Sequence, residues 1–215
     1  MSSSLDQLWC TLVTANHILD YFSLATGYGH ISARNPLTNT TFFFDPVDPP
    51  SLINSNAGYL EWNISNGAYI GSKSVSLSPS SEIWIHQAIY KRYPSVNSVV
   101  HSHSRAVLPF ADTNIPLVPQ FNLEAVLGTQ VPVFDIADYY TSNESHNFLV
   151  NLPHLGAALA NTFSTREKQR DQGERPTRLS SRVTKGAWVF GCSDKHRTRS
   201  LGRLVCARRC KYSQQ

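Results

Sequence analysis

Apolar residues recur at helical spacing through residues 5–26. Leu5, Leu8, Leu12, Val13, Ile18, Leu19 and Phe22 predict one amphipathic helix. Thr26, Gly27, Tyr28 and Gly29 form a turn suited to leaving it. The period then shortens. Residues 30–34 read as a strand running into an Asn-Pro turn, and the β-branched and aromatic residues 40–44 read as a second. Residues 45–51 are proline-rich and predict a loop. Residues 59–64 and 68–70 form a hairpin about Ser65, Asn66 and Gly67. A second helix opens at Pro79, Ser80, Ser81 and Glu82, with serine as the cap and the carboxylate in the first turn. Ile85, Ala88 and Ile89 supply its apolar stripe, and it stops before Pro94. Residues 98–103 predict a strand, 106–110 a turn or helix start, 131–135 a strand, and 148–163 a helix. No segment repeats.

A chain of 215 residues with 41% hydrophobic content is long enough for one domain with a full core. The amino terminus is polar, and no apolar run approaches the roughly 20 residues a membrane span needs. The four cysteines, Cys10, Cys192, Cys206 and Cys210, are too few and too unevenly placed for a disulfide framework. A cytoplasmic protein is expected. The net charge of +4 suggests nucleic acid until its distribution is read. Residues 1–164 hold 5 Lys/Arg against 11 Asp/Glu, whereas residues 165–215 hold 14 against 4. A mildly acidic domain is followed by a basic segment, and no nucleic-acid partner is expected.

The chemistry concentrates at Val99-Val100-His101-Ser102-His103. Residues i and i+2 of a strand share a face, so both imidazoles can converge on one cation. Glu82, nineteen residues earlier, supplies a carboxylate. Transition metals favour such donors, and a catalytic site keeps one position open. The competing reading is a pair of exposed or packed strand histidines. His86, one turn after Glu82, is open between a supporting partner and a packed helix histidine.

The run from Ser80 to Ser104 closely resembles the class II aldolase/adducin family. It has that family's Ser-Glu helix start, a His four residues after the Glu, and a Val-Val-His-x-His strand. Gly29-His30-Ile31-Ser32-Ala33-Arg34 resembles the family's Gly-Asn-Ile-Ser-x-Arg segment, with His30 in place of Asn as in a fungal, decarboxylase-like branch. The resemblance covers about residues 5–163. It implies a three-layer α/β/α domain around a mainly antiparallel sheet, and a divalent metal, most commonly Zn2+. The metal would be bound by His101, His103 and Glu82, with Glu82 also serving as base. Substrate would be held by Gly29, His30, Ser32, Ser80 and Ser81. The replacement at His30 sets the sugar-phosphate pattern in doubt. Some relatives use a Tyr as acid; Tyr139 and Tyr140 fall in suitable territory, though a surface pair reads better, and Asp135 and Asp138 are unplaced. The expected reaction is aldol cleavage of a small hydroxy-carbonyl compound. The alternatives are a metal-dependent decarboxylase of secondary metabolism, and an adducin-like non-catalytic protein or inactive fragment. Relatives are commonly homotetramers.

The pattern fails after Leu155-Gly-Ala-Ala-Leu-Ala160. The family continues with a strand reading Leu-x-Arg-Gly-His-Gly, whose His is the third strand ligand, and then a Ser-Ile-Glu-Glu-Ala helix. Here that place reads Lys185-Gly-Ala-Trp188. Codons for Lys-Gly-Ala-Trp, displaced by one base, can read Arg-Gly-His-Gly, and the displaced frame from His196 onward permits the family's helix. Residues 164–215 therefore read as a non-native, out-of-frame segment. On that reading Cys192, Cys206 and Cys210 are not a zinc site. Neither His154 nor His196 replaces the ligand. The C-terminal part of the fold is incomplete, a strand and its covering helix are missing, and metal is held weakly.

Overall fold

The computed structural model describes residues 4–45, 47–71, 82–113, 115–118, 120–122, 131, 133–163, 182–184 and 187–192. Helix α1 (Ser4–Tyr21) leads into strands β1 (His30–Arg34), β2 (Thr41–Phe44), β3 (Leu60–Asn63) and β4 (Tyr69–Ile70). Helix α2 (Ile83–Arg92), strand β5 (Ser98–Ser102) and the short helix α3 (Pro109–Asp112) follow. Strand β6 (Val133–Phe134), a 3-10 turn (Ile136–Tyr139), helix α4 (Pro153–Thr162) and strands β7 (Arg182–Thr184) and β8 (Ala187–Cys192) complete the order. The strands form one sheet in the order β4-β3-β2-β1-β5-β8-β7-β6. Its named pairings are antiparallel except β6 with β7.

Strand alternation gives this sheet two apolar faces. Ile31, Ala33 and Phe43 point to one side, where Leu12, Leu8 and Val13 of α1 cover them. Phe42, Phe44 and Trp62 point to the other and pack with Ile85 and Ile89 of α2 and Leu155 and Leu159 of α4. The result is the expected three-layer α/β/α arrangement. Each fully buried side chain of this size contributes roughly 1.5–3 kcal/mol. Helices α2 and α4 approach so closely that a Cβ on Gly156 would lie 2.3 Å from the Trp84 carbonyl oxygen. Among the described residues no helix is long and apolar enough to cross a membrane.

Several boundaries differ from expectation for physical reasons. Helix α1 ends at Tyr21, five residues early, because Ser23 and Thr26 adopt positive φ before Gly27 does. Helix α4 starts at Pro153 rather than residue 148. Phe148 sits at φ 62°, and Leu152 is extended, as the residue before a proline prefers. Helix α2 starts one residue later than expected, with Glu82 itself at the cap position and making no side-chain cap bond. Cys10 is disulfide-bonded, a bridge the cysteine spacing did not announce.

The expected gap after β5 is also not left bare. Strand β8 pairs antiparallel with β5, His101 opposite Val189 and Ser102 opposite Trp188. Strand pairing uses main-chain groups that every non-proline residue carries, so a β-branched and aromatic run can take the place whatever its side chains. The helix expected beyond it, with His196, Cys206 and Cys210, lies outside the described residues.

Candidate metal centre

The site is built by the interlocking of two periods. On β1 the polar residues His30, Ser32 and Arg34 alternate with Ile31 and Ala33, so all three share the face toward α2. On α2 and its cap, Glu82, His86 and Tyr90 stand four residues apart, one above another on the face toward β1. The two rows meet rung by rung. His86 Nε2 lies 2.8 Å from His30 Nδ1, and His86 Nδ1 lies 2.6 Å from Ser32 Oγ. Ser32 Oγ is also 2.8 Å from the Tyr90 hydroxyl. Arg34 donates to the Tyr90 and Tyr93 carbonyls and lies 4.9 Å from the Tyr90 ring centre.

Strand β5 adds the histidines seen in the sequence. In the β1–β5 register His30 stands directly opposite His101, which puts both side chains on one face with their Cβ atoms close. Their ring centres are 4.6 Å apart. Glu82 Oε2 lies 3.6 Å from His101 Nε2 and 3.8 Å from His30 Nε2. Glu82 Oε1 accepts a bond from the Val150 N–H. His103, just past the strand end, places its Nε2 2.7 Å from His101 Nε2. That separation is an N–H···N hydrogen bond.

Burial and neighbours set the charges. Burial raises the Glu82 carboxyl, but His101, His30 and the Val150 N–H outweigh it and lower it to about 2. Burial lowers His101 to about 3 against the opposing pull of Glu82. It also lowers His103, and lowers His86 well below the usual histidine range. At neutral pH the Glu82 carboxylate faces the neutral imidazole of His101, with His86 and His103 also held neutral. The buried His101 Nδ1 has no hydrogen-bond partner among the described residues.

These donors fit a divalent cation. Carboxylate oxygen and neutral imidazole nitrogen are the preferred partners of zinc and its neighbours. Bonds of about 2.0–2.2 Å in a tetrahedral set separate adjacent donors by about 3.4 Å. The Glu82–His101 and Glu82–His30 spacings lie near this value, and the ligand atoms of His30, Glu82 and His101 all fall within 4.8 Å of one another. His103 would have to part from His101 by several tenths of an ångström to share the ion.

The other residues singled out in the sequence take varied places. Gly29 lets the end of the α1 turn approach β5, because a Cβ there would lie 2.7 Å from Ala25 Cα and 2.8 Å from the His101 carbonyl oxygen. Ser32 is fully buried, its hydroxyl engaged by His86 and Tyr90 beneath the cluster. Ser80 and Ser81 lie outside the described residues. Tyr139 stacks on Phe134, and the Tyr140 hydroxyl accepts from the Phe148 N–H. Asp135 caps the 3-10 turn through Ala137. His154 faces Glu144 at 3.2 Å. Sequence reasoning missed the Ser32–Tyr90–Arg34 row. The signal was present in His-x-Ser-x-Arg alternating with apolar residues and in polar residues every fourth position of an apolar helix.

Residues 10–169 match the family model of the Class II Aldolase and Adducin N-terminal domain. Over 163 residues the chain is 36% identical to Decarboxylase tropJ of Talaromyces stipitatus, an alignment covering 75% of this chain and 60% of that relative. The chain thus spans three-fifths of that relative's length. Among solved structures it is similar to L-fuculose-1-phosphate aldolase from Thermus thermophilus. The TM-score is 0.59 at 16% identity, over 97% of this chain and 95% of that one. It is also similar to YgbL from Escherichia coli, with a TM-score of 0.63 at 13% identity, over 99% and 93% of the two chains. At such identities the likeness is one of fold.

Proposed function

The chain belongs to the class II aldolase/adducin family, and we propose that it is a divalent-metal-dependent lyase that breaks a carbon–carbon bond next to a carbonyl group. The observation that carries this reading is the convergence of an ionised Glu82 with the neutral, buried His101 and with His30, at separations suited to one shared ion. Zn2+ is the favoured metal, held by Glu82, His101 and His103. When bound, the cation supplies Lewis-acid stabilisation of the oxygen that gains charge as the bond breaks. Glu82 is fixed on one oxygen by the Val150 N–H and can hold or return a proton through the other. Gly29 and His30, with Ser80 and Ser81, border the substrate.

Decarboxylation is favoured over aldol cleavage because the 36% identical relative is named a decarboxylase, whereas the aldolases share only the fold. In either reaction the electron pair of the broken bond passes toward the carbonyl oxygen, and a proton then returns to carbon. The substrate is a small carboxylic acid whose carbanion can be delocalised in this way. A homotetramer in the cytoplasm with no nucleic-acid partner accompanies this reading, and the adducin-like non-catalytic alternative is disfavoured by the ionisable donor set. Purified chain tested for CO2 release from small keto and hydroxy-aromatic acids, with and without chelator, decides it. Chelator-sensitive CO2 release is expected. Aldol products alone would return the reading to aldol cleavage, and metal-independent turnover would overturn it.

The family match ends at residue 169, close to where the basic composition begins. We propose that residues 164–215 are read out of frame. Transcript sequencing across codons 160–190 should reveal a single-base displacement or retained intron; an uninterrupted frame with intact splicing overturns it.

A further inference from the structure

We propose that His30 is itself a ligand of the cation through Nε2, with His86 as the positioning residue that holds its ring and, once the ion is bound, accepts its Nδ1–H. The inference rests on the metal-dependent reading above. Within it, a position that family resemblance gives to substrate is assigned to the metal.

Register places the ring. His30 is paired directly with His101 across β1 and β5, so the two rings cannot face different sides of the sheet. Its Nε2 stands 3.8 Å from Glu82 Oε2, too far for a good hydrogen bond and close to the separation of two donors on one ion. The ring is enclosed, edge-on to Phe44 at 5.0 Å and against His86 at 4.8 Å.

The bonds of His86 hold the ring and admit two proton arrangements. A neutral His86 carries one ring proton. With that proton on Nδ1, His86 donates to Ser32 Oγ, and the Ser32 hydroxyl donates on to Tyr90. His86 Nε2 is then an acceptor and takes the His30 Nδ1–H, which leaves a lone pair on His30 Nε2 facing Glu82. The opposite arrangement, Tyr90 to Ser32 to His86 to His30, puts an N–H at His30 Nε2 toward the Glu82 carboxylate, and a cation bound at that nitrogen releases this proton and selects the first arrangement. The chain of bonds ends at Tyr90, 1% exposed under the Arg34 guanidinium, and not at solvent. It is therefore a clamp on tautomer and ring orientation, as supporting partners of metal-binding histidines usually are, rather than a route for protons.

The test is metal affinity, read independently of turnover by chelator competition and by the visible spectrum of bound Co2+. His30→Asn should weaken Co2+ and Zn2+ binding by about 100-fold or more and change the Co2+ bands. His86→Leu should weaken it about 10- to 100-fold, with His86→Gln, which retains an acceptor toward His30, closer to wild type. Wild-type affinity in His30→Asn alongside loss in His101→Ala overturns this inference and leaves the metal-dependent reading intact. Absence of binding by the unaltered chain overturns both. Because a variant can fail to fold, 15N-histidine-labelled wild-type chain gives a direct second readout. The His30 Nε2 resonance should move on addition of Zn2+, and an unmoved resonance overturns the assignment.

Discussion

Two pairs of histidines meet at Glu82, and they are built differently. His101 and His103 come from one strand, two residues apart, and touch each other at 2.7 Å. His101 Nδ1 is buried without a partner among the described residues, and His103 sits at the edge of the strand. His30 and His86 come from different layers, 56 residues apart in sequence, and continue into Ser32 and Tyr90. The first pair leaves a buried ring nitrogen that no described residue satisfies, and the second has its rings held by a buried row of bonds. On the proposed reading, a cation beside Glu82 would meet His101 through Nε2 and His30 through Nε2. Glu82, the only carboxylate among these residues, belongs to both.

The contrast collapses most completely at Glu82. Glu82→Gln keeps the shape but removes the charge and turns half of the group into a donor. Both pairs then lose the anion they face. Metal affinity measured by chelator competition should fall by more than the roughly 100-fold expected for a supporting residue. Lyase activity should vanish with it. Retention of tight metal binding would show that the histidines suffice and that Glu82 serves only as a base.

Acid should separate the pairs in a smaller way. The His101 pKa is lowered to about 3 by burial, so the folded protein binds this proton less readily than the unfolded chain, where the usual value is 6.5. Stability from this source is fully present above about 6.5 and is lost as pH falls toward 3. Glu82, lowered to about 2, adds a second loss that begins near 4.5 and continues downward. Metal-free protein should therefore lose stability from about pH 6.5, measured by urea unfolding at successive pH values. His101→Gln should make the upper part of that profile shallower, leaving the share of the buried His86 and of His103, and should keep the part below 4.5. A flat wild-type profile between about pH 7 and 4 would mean that His101 is not held neutral by burial.

The first pair was legible in the sequence because its spacing is local. A His-x-His on a β-branched strand has one geometric consequence, and a carboxylate at a helix start has nearly one. The three layers and the antiparallel sheet followed from family resemblance. The second pair was only half legible. His86 could be placed one turn from Glu82, yet nothing local says that the helix lies across β1 so that His86 lands on His30. That contact depends on the β1–β5 register and on the close approach of Gly29 to His101, both set by packing between distant segments. For the same reason β8 escaped notice. Main-chain pairing tolerates a run whose side chains depart from the expected pattern.

The mildest perturbation falls on the buried row itself. Ser32→Ala removes one hydroxyl and leaves His86 Nδ1 and the Tyr90 hydroxyl without their shared partner, both buried. An unsatisfied buried polar group costs about 1–3 kcal/mol, so unfolding free energy should fall by an amount in that range. The effect on metal separates two views of the row. If it clamps the His30 tautomer, affinity for Zn2+ falls several-fold although His30, Glu82 and His101 are untouched, because His86 is freed to carry its proton on either nitrogen. If the row only fills the core, stability falls while affinity stays at the wild-type value. The described bonds of Ser32 run to His86, Tyr90 and Ser98 rather than to His101 or His103, so a loss of affinity in this variant passes through His86 and His30.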